Sequence, residues 1–129
     1  MHLLDTNIFL EVLLDRENSG IIREYLNRNR EISLFVSDFS VYSLGIFLAR
    51  RKQYDQYLVL LEDLQRRKIQ ILSLSGNELQ IVVRFCRDYG FDFDDAYQIT
   101  LATQNNLKLV SLDHDFDRIP GGRIHPKDS

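Results

Sequence analysis

Carboxylates standing where strands end and helices begin are the residues of this sequence best placed to do chemistry. Asp5 follows Leu3-Leu4 and leads through Thr6 and Asn7 into Ile8-Phe9-Leu10. Asp94 and Asp95 open a later helical stretch, and Asp113 and Asp115 follow the apolar run from Leu107 to Leu112. If these groups converge they repel: two unit charges ~4 Å apart cost roughly 4 kcal/mol at an effective dielectric near 20. A divalent cation relieves that repulsion, and oxygen ligands without histidine or cysteine favour Mg²⁺ or Mn²⁺ over zinc. The chemistry that suits such a pocket is metal-assisted phosphodiester hydrolysis, with the ion as Lewis acid, template and source of nucleophile. Each acid also has an ordinary use. Asp, Thr and Asn cap helix N-termini, Asp92, Asp94 and Asp95 complement a helix dipole, Asp113 and Asp115 suit a loop, and Asp88 and Asp117 read as solvated.

The elements that must position these acids alternate. A strand ending at Asp5 runs into a short helix. Asp15 to Asn18 read as a turn, and Ser19 caps a helix with Ile21, Ile22, Tyr25 and Leu26 at helical spacing. Ile32 to Val36 read as a strand buried on both faces. Ser37 or Asp38 caps a helix whose inward stripe is expected to be Phe39, Tyr42, Ser43, Ile46 and Phe47, ending at Arg50-Arg51-Lys52. The next helix carries Tyr54, Tyr57, Leu58, Leu61 and Leu64 and ends at Arg66-Arg67-Lys68. Ile69 to Leu72 suggest a further buried strand. Ser75-Gly76-Asn77-Glu78 is a capping box for a helix with Leu79, Val82, Val83 and Cys86 inward, stopped by Gly90. Phe91 to Asp95 open a helix running to Asn105-Asn106, Leu107 to Leu112 form the last clear strand, and Arg123-Ile124 after the Pro120-Gly121-Gly122 turn suggest a short edge strand. Alternation of this kind means an α/β fold around a mainly parallel sheet. Ligands of such sheets bind outside the carboxyl ends of the strands, the edge that Asp5, Asp95 and Asp113 are expected to share.

The 129 residues suit a single domain, expected over 1–126 with a loose polar tail at 127–129. No apolar run has the length of a membrane span, and no basic stretch precedes an apolar leader, so a cytoplasmic protein without membrane contact is expected. The net charge of −3 argues against a general nucleic-acid coat but not against a nuclease with an acidic pocket and a basic rim. Lone Cys86 reads as packing. Arg50, Arg51 and Lys52, with Arg66 and Arg67, either complement helix dipoles or line an RNA-contacting rim.

Three of these segments together resemble the PIN-domain proteins, and among them the VapC-type toxin nucleases of bacterial toxin–antitoxin pairs. Leu3-Leu4-Asp5-Thr6-Asn7-Ile8-Phe9-Leu10 is similar to the family's first acidic motif. Phe93-Asp94-Asp95-Ala96-Tyr97-Gln98-Ile99-Thr100-Leu101-Ala102 resembles its third, and Leu109-Val110-Ser111-Leu112-Asp113-His114-Asp115-Phe116 its closing motif. The resemblance implies a three-layer α/β/α sandwich, a Mg²⁺- or Mn²⁺-dependent ribonuclease, an antitoxin partner and frequent homodimers. It makes Asp5, Asp95 and Asp113 metal ligands, with Asp94 and Asp115 as further candidates. Thr6, Asn7 and Ser111 become supports that orient carboxylates or water.

One motif departs. The family usually carries a glutamate about two turns into the helix after the second strand, and here that position is Ser43. Ser43 supplies no charge, so the alternative to a ribonuclease is a catalytically weakened PIN-like module that binds RNA or protein. Two other acid-pocket folds fit poorly: a haloacid-dehalogenase-type phosphatase wants an acid where Asn7 stands, and a receiver domain wants one where Val36-Ser37 ends the middle strand.

Overall fold

Neighbouring residues of the first strand face opposite ways, and two cores form around them. The computed structural model describes residues 1–129. Strand β1 (His2–Leu4) sends Leu4 into one core and Leu3 into the other. On the first face Leu4 packs with Ile8 of α1 (Thr6–Leu13), Ile22 and Tyr25 of α2 (Ser19–Arg28), Val41 and Leu44 of α3 (Asp38–Arg50), and Leu60 and Leu64 of α4 (Tyr54–Arg66). On the second face Leu3 meets Val82 of α5 (Leu79–Tyr89) and Ala96, Ile99 and Leu101 of α6 (Phe93–Gln104). The result is a three-layer α/β/α sandwich.

The sheet is parallel throughout, in the order β3-β2-β1-β4, with β2 (Leu34–Ser37), β3 (Gln70–Leu72) and β4 (Lys108–Val110). Leu4 stands beside Val36 on one side and Val110 on the other, so Asp5, Ser37 and Ser111 follow at one level of the sheet edge, Ser37 as the last residue of β2 and the other two just past β1 and β4. Ile124 adds a single parallel bridge beyond Val110, the short edge element expected at Arg123-Ile124.

Several local expectations hold. Ser37 caps α3, its hydroxyl accepting from the Ser40 amide at 2.9 Å. Ser75 and Glu78 bond reciprocally as expected, though around the turn that precedes α5 and not at its N-cap, which is Glu78, and Gly90 ends α5 with φ +71°.

Others do not. The inward face of α3 is Ser40, Val41, Leu44 and Leu48, while Tyr42 and Ile46 are exposed. The helix is apolar on two sides, and the sheet selects the side that period alone left open. Strand β3 is an edge strand with Ile71 exposed, because strand order places it outermost. Tyr54 and Leu58 of α4 are exposed, with Leu60 taking the inward place, and Leu79 and Val83 of α5 are exposed. The tail is tied down: Arg28 donates to the Pro126 and Ser129 carbonyls at 2.8 Å each. No helix is long and apolar enough to cross a membrane.

Candidate active site

Asp5 leaves β1 and caps α1, accepting from the Thr6 amide at 2.8 Å. Three further donors reach the same carboxylate. Gln98 Nε2 joins Thr6 on Oδ1 at 3.0 Å, while the Ser111 hydroxyl at 2.6 Å and Asn7 Nδ2 at 3.3 Å reach Oδ2. Burial pushes the Asp5 carboxyl above its ordinary range, and the bonds from Ser111 and Gln98 oppose that rise. A buried carboxylate is costly unless its lone pairs are matched, and four donors match them here, the longest from Asn7.

Ser111 joins the ends of β1 and β4. Its oxygen also accepts from Asn7 Nδ2 at 3.1 Å and from the Asp113 amide at 3.0 Å, while Asn7 Oδ1 accepts from the Leu112 amide. Asp113 then caps a 3₁₀ turn (His114–Arg118), accepting from the Asp115 amide at 2.9 Å. Arg123 braces this turn from outside, donating to both oxygens of Asp117 and to the Ser111 carbonyl. Asp117 is therefore paired rather than merely solvated, and Arg123 holds its carboxyl below the usual range.

Asp95 stands in the first turn of α6, with Asp94 beside it. Burial first, and then the negative charges of Asp94, Asp5 and Asp113, raise its carboxyl to about 7. Carboxylate oxygens of Asp95, Asp113 and Asp115 lie within 4.8 Å of one another. Asp5, Asp94, Asp95 and Asp113 line one depression of about 230 Å³, together with Thr6, Asn7, Ser43 and Gln98. The expected acids are thus gathered, with Asp115 at the outer side and Ser111 beneath. Arg50 and Arg51 lie apart, in a neighbouring depression that also touches Ser43. Lys52 lines neither and occupies a turn with φ +57°.

Three participants escape the sequence reading: Gln98, Ser40 and Ser37. Gln98 is 2% exposed and donates to Ser40 Oγ at 2.8 Å as well as to Asp5. Ser37 Oγ also donates to Ser40 Oγ, at 3.0 Å. A hydroxyl offers two acceptor sites and one proton. With both acceptor sites taken, Ser40 gives its proton to Thr6 Oγ1, 2.7 Å away. The Thr6 proton is thereby freed for a group in the depression. The available signal was Gln98 itself, a polar residue one turn after Asp95 in a helix otherwise apolar or small from Ala96 to Ala102.

The residues present fit a hard divalent cation. The donors are carboxylates, no histidine or cysteine lines the depression, and a cation would offset both the burial and, after it, the neighbouring negative charges that raise the Asp95 carboxyl.

A parallel sheet with helices on both faces and carboxylates gathered beyond its strand ends defines an α/β domain with an acid-lined crevice. The chain belongs to the PIN domain family, which matches residues 2–122. No curated protein matches the chain. Among solved structures it is similar to a toxin–antitoxin complex from Klebsiella pneumoniae, at 21% identity over 98% of both chains with a TM-score of 0.80. It is also similar to VapBC2 from Rickettsia felis bound to a DNA fragment from their promoter, at 18% identity over 93% of both chains and 0.76. A third is VapC20 of Mycobacterium tuberculosis, a sarcin–ricin loop cleaving toxin, at 11% identity over 91% of this chain and 93% of that one, again 0.76. At these identities the likeness is one of fold.

Proposed function

We propose that the protein is a Mg²⁺- or Mn²⁺-dependent endoribonuclease and the toxin of a toxin–antitoxin pair. The observation that carries this reading is the meeting of Asp5, Asp95 and Asp113 in one depression beyond the sheet edge, with Asp94 and Asp115 beside them. Asp95, Asp113 and Asp5 would hold the ion, with Asp94 and Asp115 as further ligands. When bound, such an ion supplies Lewis-acid stabilisation to a phosphoryl oxygen and lowers the pKa of water. The chain's own residues do the positioning. Gln98, Ser111 and Asn7 fix Asp5, and Thr6 offers its proton toward the reacting phosphate or the attacking water. An antitoxin partner is supported by the complexes among the structural neighbours. Self-association is supported by apolar surface left at Ile71, Leu79 and Val83. We place the activity in the cytoplasm.

The test is cleavage of a structured RNA by the purified protein with Mg²⁺ or Mn²⁺. Activity in the parent and its loss in Asp5→Asn and Asp95→Asn is expected. An inert parent beside an active control nuclease overturns the reading.

Ser43 on the wall of the depression favours a second reading, a binding module that has lost cleavage. Ser43→Glu separates the two. Cleavage appearing only in the variant identifies a decayed site, whereas strong cleavage by the parent removes this alternative.

A further inference from the structure

The stripe Ser43, Ile46, Phe47 and Arg50 recurs at helical spacing on α3 yet faces outward, with Ile46 55% exposed. With Arg51 it borders an open, shallow depression of about 430 Å³. Ser43 belongs both to this depression and to the acid-lined one, so the two are continuous along one helix. The Arg51 guanidinium lies over the Phe47 ring, 4.7 Å from its centroid. No carboxylate lies within ion-pair distance of Arg50 or Arg51.

An apolar floor, a stacked aromatic–guanidinium pair and two uncompensated cations are the complement of a nucleotide. Bases stack on aromatic rings and on guanidinium planes, and arginine forks match phosphate oxygens. A protein partner chosen for an apolar stripe alone gains nothing from two unpaired cations at its end. Ser43 and Arg50 are seven residues apart on the helix, a rise of about 10 Å. A strand with one phosphate among the acids therefore reaches Arg50 within a dinucleotide or trinucleotide.

We propose that this depression is a subsite for single-stranded RNA, taking the nucleotide next to the scissile phosphate. Its base lies against Ile46 and Phe47, and its phosphate is held by Arg50 and Arg51. This rests on the ribonuclease reading and adds to it a direction, with the strand running along α3 from the acid-lined depression at Ser43 to the basic end of the helix.

The test is binding of a fluorescently labelled oligouridylate to the parent protein in EDTA, where nothing is cut, across a range of salt. Arg50→Ala/Arg51→Ala should weaken binding by about tenfold or more and flatten the salt dependence by about 1.4, the slope of two lost single-strand phosphate contacts. Phe47→Leu should weaken binding by about fivefold or more with the salt slope unchanged. All these side chains lie at the surface end of α3, and a matching circular dichroism melt checks each fold. Unchanged affinity and slope in the double arginine variant overturn the subsite, as does a parent that binds no oligonucleotide. Failure of the ribonuclease reading is seen separately, as a parent that binds the strand but never cuts RNA with Mg²⁺ or Mn²⁺.

Discussion

Replacing Asp95 with asparagine should make the metal-free protein more stable, and the gain should depend on pH. The Asp95 carboxyl rises from 3.8 to about 7 in the folded chain, through burial and the charges of Asp94, Asp5, Asp113 and Asp92. A raised folded value means the ionised form is disfavoured by folding. Stability is thus fully present below the unfolded value near 3.8 and is lost as pH climbs toward about 7. A displacement of about three pH units corresponds to ~4 kcal/mol unscreened, at roughly 1.4 kcal/mol each. The side chain is only half-buried, and solvent screening reduces this to about 1–2 kcal/mol. Urea denaturation in EDTA should therefore find Asp95→Asn more stable than the parent by about 1–2 kcal/mol at pH 8, and equal to it near pH 3.5. Saturating Mn²⁺ should invert the order, since a ligand at a hundred times its Kd adds about 2.7 kcal/mol to the state that binds it. A variant no more stable than the parent at pH 8, or a gain that persists at pH 3.5, would refute the repulsion argument.

Gln98→Leu should cost about 1.5–3 kcal/mol in the same denaturation assay, because it strips a buried carboxylate and the Ser40 hydroxyl of a shared donor. Tyr97→Phe should cost about 1 kcal/mol, since the phenol donates to Asp38 and accepts from the Leu74 amide. Gly122→Ala should lower the melting temperature by roughly 5–10 °C. A Cβ there falls 1.9 Å from the Phe116 carbonyl oxygen and pushes on the turn that carries Asp115.

The acids were legible because each is a polar residue set directly against an apolar run. Leu3-Leu4-Asp5 and Val110-Ser111-Leu112-Asp113 announce strand ends, and Asp94-Asp95 before Ala96 announces a helix start. Fold class followed from the same alternation. The support beneath the acids was less visible: Gln98 and Ser40 matter through partners 93 and 58 positions away, and local spacing says nothing of such pairs. Faces were hardest to read. On α3 both Val41-Leu44-Leu48 and Phe39-Tyr42-Ile46 have helical period, and only the packed sheet chooses between them. Likewise, Ile69 to Leu72 has the composition of an inner strand, and the outermost place it takes is a property of strand order.

That strand order also sets when the site comes into being. The first strand made is a central one, and β4, one of its two neighbours, is the last of the four to leave the ribosome. Closing the pair joins segments more than a hundred residues apart, a slow, entropy-limited step that follows local helix formation. Asp5 meets Ser111 across 106 positions and Gln98 across 93. A nascent chain therefore carries its key carboxylate through the synthesis of some ninety further residues before either partner is made. The pocket assembles only once the chain has been made past Ser111, so a product cut short before that residue lacks it.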